Sequence, residues 1–268
     1  MKRFDFNKKI AVVTGASSGI GRAIATILVK KYDCLVYGIG RDLHKLDVVR
    51  EELGPEKFLC CTMNVSDEHS WEKMAVYFKN SATPPDILIN CAGVLPKFAT
   101  VEKTGAKATE ATLDTNFMSC VYSCDSLIPL MPNGGLVVNV SSAGALCPFA
   151  GIGAYSASKA ALLRYTECAA IENRRIGISV AMPGFVKTDI MKNQSIGEKE
   201  KGIVNLFSSD PHKTAKKILR RAKKRKKKIV TGADAHFMSI MYRLFPRFAP
   251  KFFSFILKKS KMELFKEI

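Results

Sequence analysis

Short apolar runs rich in β-branched residues alternate with segments of helical periodicity along most of this chain, and that alternation leaves few folds open. The runs are "KKIAVVTG", "CLVYGI", "KFLCCTM", "DILIN", "GLVVNV", "GISVAM" and "KKIVTG". Each is short and apolar, which suits a strand buried on both faces. Between them, residues 19–31, 42–53, 67–80, 107–131, 153–173 and 210–224 read as helices. In the first of these, Ile20, Ala23, Ile24, Ile27 and Leu28 share one face. Strand–helix–strand repeats require crossover connections, so the strands lie parallel and helices cover both sheet faces. The predicted fold class is α/β: a doubly wound, seven-stranded parallel sheet. No linker or internal repeat interrupts the pattern. The 268 residues suffice for one domain with a sizeable core. It is read as a single unit over 1–268, with a core over 7–232 and an amphipathic helical extension over 233–268.

Two local patterns carry chemistry. "TGASSGIGRAIA" places Gly15, Gly19 and Gly21 between the first strand and the first helix. Gly15 allows a tight turn, the small residues Ser17 and Ser18 let the backbone approach a pyrophosphate, and the helix N-terminus offers unpaired N–H groups and a positive dipole end. The spacing differs from GxGxxG, and a glycine-rich turn that binds nothing is the plain alternative. Its place between strand and helix favours the phosphate reading. The second pattern is "GIGAYSASKAAL", where helical spacing stacks Tyr155 and Lys159 a turn apart on one face. Taken singly, the two would be a core tyrosine and a surface lysine.

Composition excludes more than it assigns. The eight cysteines show no CxxC pair and no metal-ligand spacing, so no metal is expected. Several sit inside apolar runs, which implies buried free thiols and a reducing cytosol. The N-terminus shows no signal-peptide apolar region, and no run of 18 apolar residues suggests a spanning helix. Of the net charge of +18, 11 come from residues 213–228, "KTAKKILRRAKKRKKK", which leaves +7 elsewhere. A solvated helix face, an anionic membrane surface and an acidic protein partner all fit this run. Nucleic acid is the least favoured partner, because no recognition motif accompanies the charge.

Six motifs in order then point to a family. "TGASSGIG" at 14–21, "NCAG" at 90–93, Asn116, Ser142, Tyr155 with Lys159, and Pro183-Gly184 resemble the short-chain dehydrogenase/reductases. The resemblance runs from about residue 7 to 232 and implies a Rossmann-type oxidoreductase. Cys91 stands where the family usually has Asn, and Asn64 where it usually has Asp. The resemblance assigns catalysis to Asn116, Ser142, Tyr155 and Lys159. Tyr155 would exchange a proton with the substrate oxygen, its phenol lowered from about 10 by the nearby ammonium. Ser142, preferred over Ser141 on family spacing, would hydrogen-bond the same oxygen. Asn116 would hold a water linking Lys159 to solvent, and Lys159 would also reach the nicotinamide ribose.

The same resemblance places Ile20 near the pyrophosphate, Asn64 and Val65 beside adenine, Asn90, Ala92 and Gly93 along the ribose, and Val186 and Thr188 at the nicotinamide. Gly40 stands where NAD enzymes keep an acid, and Arg41 follows with a cationic fork suited to a 2′-phosphate, which implies NADP(H). Asp42 is expected to face solvent or cap the next helix. Substrate walls are expected from "VLPKF" at 94–98, from Leu146, Pro148 and Phe149, and from a lid over 189–209. They suit a hydrophobic ketone/alcohol pair such as a steroid or lipid. Two alternatives remain: a 3-ketoacyl reductase serving acyl carrier protein, and a non-catalytic dinucleotide-binding protein. Relatives of this kind imply a homodimer or homotetramer in the cytoplasm. The segment "ADAHFMSIMYRLFPRFAPKFFSFILKKSK" interleaves Arg243, Arg247 and Lys251 with Phe and Leu, and Pro246 and Pro250 divide it into two short helices. It fits peripheral contact with the inner face of an anionic membrane, and equally a hairpin over the cleft or a second subunit.

Overall fold

The computed structural model describes residues 2–188 and 208–259. Its strands β1 (Ile10–Thr14), β2 (Leu35–Gly40), β3 (Phe58–Thr62), β4 (Ile87–Asn90), β5 (Leu136–Val140), β6 (Gly177–Pro183) and β7 (Lys228–Thr231) form one seven-stranded parallel sheet in the order β3-β2-β1-β4-β5-β6-β7. Ala11 of β1 pairs with Val36 of β2 on one side and Ile87 of β4 on the other. The central strands β4, β5 and β6 are buried throughout, which is why their sequences run apolar instead of alternating.

Successive strand residues point to opposite faces, and helices cover both. On one face α1 (Gly19–Tyr32), α2 (Leu43–Leu53) and α7 (Pro211–Lys223) pack Ile24, Leu28, Leu46 and Ile218 against Val13, Val36 and Val138. On the other, α3 (Glu68–Ser81) and α5 (Ser119–Leu127) pack Trp71, Phe78 and Leu127 against Val12, Leu88 and Val137, joined by Tyr165 and Ala169 of α6 (Gly153–Glu172). The Asp42 side chain accepts a hydrogen bond from Lys45 N at 3.1 Å and so caps α2. Asp210 caps α7 in the same way, from Lys213 N at 2.8 Å, with Pro211 in the first helical position. This is the Rossmann-type doubly wound arrangement expected from the strand–helix alternation.

One segment differs from the sequence expectation. The helix read over 107–131 begins earlier, as α4 (Val101–Leu113), with Gly105 at φ 69° breaking its first turns. It then widens into a π-helical segment, Asp114–Met118, before α5, and ends at Leu127 in a short 3₁₀ turn that contains Pro129. The basic run 213–228 is the solvated helix face running into an edge strand that its sequence suggests, with Lys213, Lys216, Lys217, Arg220 and Lys224 exposed and β7 at the sheet edge. Ala215, Ile218, Leu219 and Ala222 seat α7 on the sheet. Arg225 turns inward, donating to Gly135 O at 2.7 Å and Gly134 O at 2.5 Å, and Lys228 pairs with Glu167.

Beyond β7 the chain forms two short helices, α8 (Ala233–Leu244) and α9 (Ala249–Lys259), with Pro246 between them, as the proline spacing predicts. The lid expected over 189–209, with Ile190, Met191, Ile203, Val204, Leu206 and Phe207, lies outside the described residues apart from 208 and 209.

Candidate active site

The strand order reverses between β1 and β4, and a crevice opens beyond their C-terminal ends. Thr14 Oγ1 ties the two strand ends together, accepting from Cys91 N and Ala92 N at 2.9 Å each. Gly15 follows at φ 65°, and a Cβ there would lie 3.1 Å from Ala92 Cα. Gly19 opens α1 at φ 54°, and its Cβ would lie 2.9 Å from Thr188 Cγ2. Both positions therefore need glycine on two counts, backbone angle and space. Ser18 caps α1 with extended backbone and no side-chain hydrogen bond, so the first N–H groups of the helix remain for a ligand. Ile20, Gly21, Ala92, Gly93, Pro183, Gly184 and Val186 complete this wall, and Arg41 stands at its outer end. The bare backbone cradle, the helix N-terminus and the exposed guanidinium together fit a dinucleotide phosphate chain.

Gly40 and Ser17 adjoin each other: a Cβ at Gly40 would lie 3.4 Å from Ser17 Oγ. Asp42 is turned away to Lys45, with its carboxyl 3.3 Å from Lys45 Nζ, and leaves the Arg41 side open. Besides Ser17 and Gly40, three expected cofactor contacts fall outside the cleft lining. Asn64 is exposed and accepts from Ser66 N at 3.2 Å, while Val65 is buried, its carbonyl taking the Trp71 indole N–H at 2.9 Å. Asn90 is also set apart from the cleft. Its amide donates to Asn139 Oδ1 at 2.9 Å and its oxygen accepts from Ser123 Oγ at 2.9 Å, a buried network that joins β4 to β5 and α5. Cys91, one residue on, lines the crevice in its place.

At the other end of the crevice α6 brings Tyr155 and Lys159 onto one face, with Lys159 Nζ 5.9 Å from the centre of the Tyr155 ring. Ser142 adjoins the Tyr155 hydroxyl and pulls its pKa down. Ser142 Oγ also accepts from Gly144 N at 3.1 Å, which fixes its rotamer. Ser141 is excluded from this role, because its Oγ is buried and donates to Lys159 O at 2.7 Å. Lys159 is buried, and Nζ donates to Val140 O at 3.1 Å. Asn116 lies in the π-helical segment, fully buried. Both of its amide hydrogens are used, to Val94 O at 2.9 Å and Ser158 Oγ at 3.0 Å, and its oxygen accepts from Val94 N at 2.7 Å. A Cβ on Gly93 would lie 3.1 Å from Asn116 Oδ1 and 3.3 Å from Lys159 Nζ, so the two side chains meet over Gly93.

The electrostatics correct one expectation. Burial holds the Tyr155 phenol above its ordinary range; Ser142 pulls it down and the neighbouring Cys91 pushes it up. Burial also lowers the Lys159 ammonium, which Cys120 and Cys91 oppose. The expected lowering of the phenol by Lys159 is thus not found in the protein alone: burial dominates, and the group that lowers the phenol is Ser142. The Cys91 thiol is pushed up to about 12 by burial and stays protonated.

The substrate end is apolar. Val94, Leu95 and Phe98 line it, as expected from "VLPKF", and so does Phe149. Leu146 instead packs beside Leu163 and Met182, and Pro148 lies on the outer surface. Sequence reasoning missed Ile152 and Met238 as lining residues. Met238 comes from α8, and the helical spacing of Ala235, Met238 and Tyr242 is the only sequence signal of its inward face. Among the described residues no group of three metal-ligating side chains occurs, and no cysteine is in a disulfide.

This geometry has counterparts. The short chain dehydrogenase family matches residues 9–199. A 3beta-hydroxysteroid dehydrogenase of Mediterraneibacter gnavus is 33% identical over 184 residues, 67% of this chain and 65% of that protein. A glycine betaine reductase of Emericella nidulans is 34% identical over 189 residues, 68% of this chain and only 15% of that protein. The chain thus spans less than two thirds of the length of either relative. A short-chain dehydrogenase structure from Streptomyces avermitilis superposes with a TM-score of 0.78 at 25% identity, over 95% of this chain and 100% of the other.

Proposed function

The chain belongs to the short chain dehydrogenase family of oxidoreductases, and we propose that within it the protein is an NADP(H)-dependent enzyme interconverting a hydrophobic ketone and a secondary alcohol. One observation carries the reading: the Ser142–Tyr155 pair and Lys159 stand at the apolar end of the same crevice whose other end is the glycine cradle and Arg41. The nicotinamide cofactor, when bound, supplies the hydride or receives it.

The chain's own residues do the rest. Gly15, Gly19 and the first turn of α1 receive the pyrophosphate through backbone N–H groups, and Arg41 pairs the 2′-phosphate with no acid at Gly40 to oppose it. Ser142 donates to the substrate oxygen and holds it against the Tyr155 hydroxyl. Tyr155 gives its proton to that oxygen in reduction and takes it back in oxidation. A phenol held protonated by burial is in the right state for reduction at neutral pH. Lys159, buried beside the phenol, favours the phenolate left behind. Asn116 is a positioning residue: its clamp on Val94 fixes the strand end that carries Gly93 and borders Lys159.

The names of the relatives do not agree on a substrate, one being a hydroxysteroid dehydrogenase and the other a glycine betaine reductase. The cleft favours the steroid-like class: Leu95, Phe98, Phe149, Ile152 and Met238 present hydrocarbon, and no carboxylate lines the crevice among the described residues to take a cationic substrate. The test is nicotinamide absorbance with NADPH and with NADP against paired panels of apolar ketones, steroid and lipid alcohols, and small charged substrates. Turnover of the apolar panel is expected; turnover restricted to charged substrates, or none at all, sinks the reading.

A further inference from the structure

The helices α8 and α9 have two unlike faces. Inward, Ala235, Met238, Ala249 and Phe253 pack on Ala143, Cys147 and Phe149 beside the crevice. Outward, the same helices expose Phe237, Ile240, Leu244, Phe255 and Ile256, and their connection exposes Phe248; Leu244 is 63% exposed and Phe255 61%. On α8 the outward positions are spaced three and four apart, so they form one stripe. Exposed cations flank the apolar surface: Arg243, Arg247, Lys251, Lys258 and Lys259. The only acid in 233–259 is Asp234, and it accepts from Phe185 N at 2.6 Å.

We propose that this face docks on an anionic lipid bilayer, with the rings at the level of the acyl chains and the cations at the headgroups. An apolar surface this dense needs a cover in water. A two-fold partner of the same kind would set the five cations against their own copies with no acid among the described residues 235–259 between them, whereas anionic headgroups complement them. No helix among the described residues is long and apolar enough to cross a membrane, so the contact is with the surface. The basic helix α7 belongs to a different cluster, on α1, and is not part of this face.

The experiment is flotation of the full chain with phosphatidylcholine vesicles, with and without phosphatidylserine. Binding is read without turnover, so its outcome is independent of the proposed reaction. The protein is expected to float with phosphatidylserine at low salt, to bind about tenfold more weakly in high salt, and to ignore neutral vesicles. A combined Phe248→Ser, Phe255→Ser and Ile256→Ser variant is expected to lose flotation while keeping its melting temperature. A separate Arg247→Gln, Lys251→Gln, Lys258→Gln and Lys259→Gln variant is expected to lose it without disturbing any buried contact. The proposal is overturned by absence of flotation on phosphatidylserine at low salt, by undiminished flotation of the glutamine variant, or by sedimentation showing a stable dimer that the serine variant splits into monomers.

Discussion

The two ends of the crevice are built from different materials. The phosphate end is backbone: Gly15 and Gly19 in left-handed conformation, the first N–H groups of α1, and one side chain, Arg41, at the rim. The substrate end is side chains delivered by segments far apart in the chain, with Leu95 and Phe98 before α4, Phe149 and Ile152 before α6, and Met238 from α8. A backbone cradle serves any ligand with the same phosphates and tolerates little change. A side-chain wall can be retailored one residue at a time, which is how one fold serves many substrates. Ser142, Tyr155 and Lys159 stand with the apolar end, on a geometry that the phosphate end must also serve.

Substitutions can pull these regions apart. The largest effect is expected at the shared centre. Tyr155→Phe keeps the ring and removes the proton, so kcat should fall by about a thousandfold while NADPH affinity, read by fluorescence titration, holds. Near-normal turnover would break the assigned role. Next comes the phosphate end: Arg41→Ala should lower the NADP-over-NAD preference in kcat/KM about tenfold to hundredfold, the worth of a charge-assisted pair to phosphate, without touching substrate KM. An unchanged preference would remove Arg41 from the cofactor site.

At the substrate end Met238→Ala should lower kcat/KM for a bulky apolar ketone by about tenfold and leave the cofactor constants alone. If cofactor constants move with it, the two ends are not separable. The smallest effect is on pH dependence. Oxidation needs the phenolate, so its rate rises with pH through the Tyr155 pKa. Ser142 lowers that pKa. Ser142→Ala should therefore shift the rising limb of the oxidation profile to higher pH, beyond lowering the rate. A shift to lower pH would contradict the sign of that interaction.

Much of this was open to a reader of the sequence, because it follows from short-range physics. Apolar runs alternating with helical periodicity force a parallel sheet, and a glycine-rich turn at the first strand end marks the proposed phosphate site. Residues four apart on a helix share a face whatever packs around them, so Tyr155 and Lys159 were a pair before any fold was known. Asp42 as a helix cap is of the same kind.

What only the tertiary structure decided depends on neighbours distant in sequence. Adjacent residues at a strand end point in opposite directions, and packing alone sent Asn90 into the β4–β5 network and Cys91 into the crevice, as it sent Ser141 to the Lys159 carbonyl and Ser142 to the phenol. The π-helical turn that aims Asn116 at Val94 leaves no periodic trace, since one wide turn barely shifts a helical pattern. Met238 reached the crevice because α8 folds back over residues near 147, a contact across about a third of the chain. The Tyr155 phenol stands above its ordinary range for the same reason: desolvation is a property of everything packed around a group, and no spacing of residues along the chain records it.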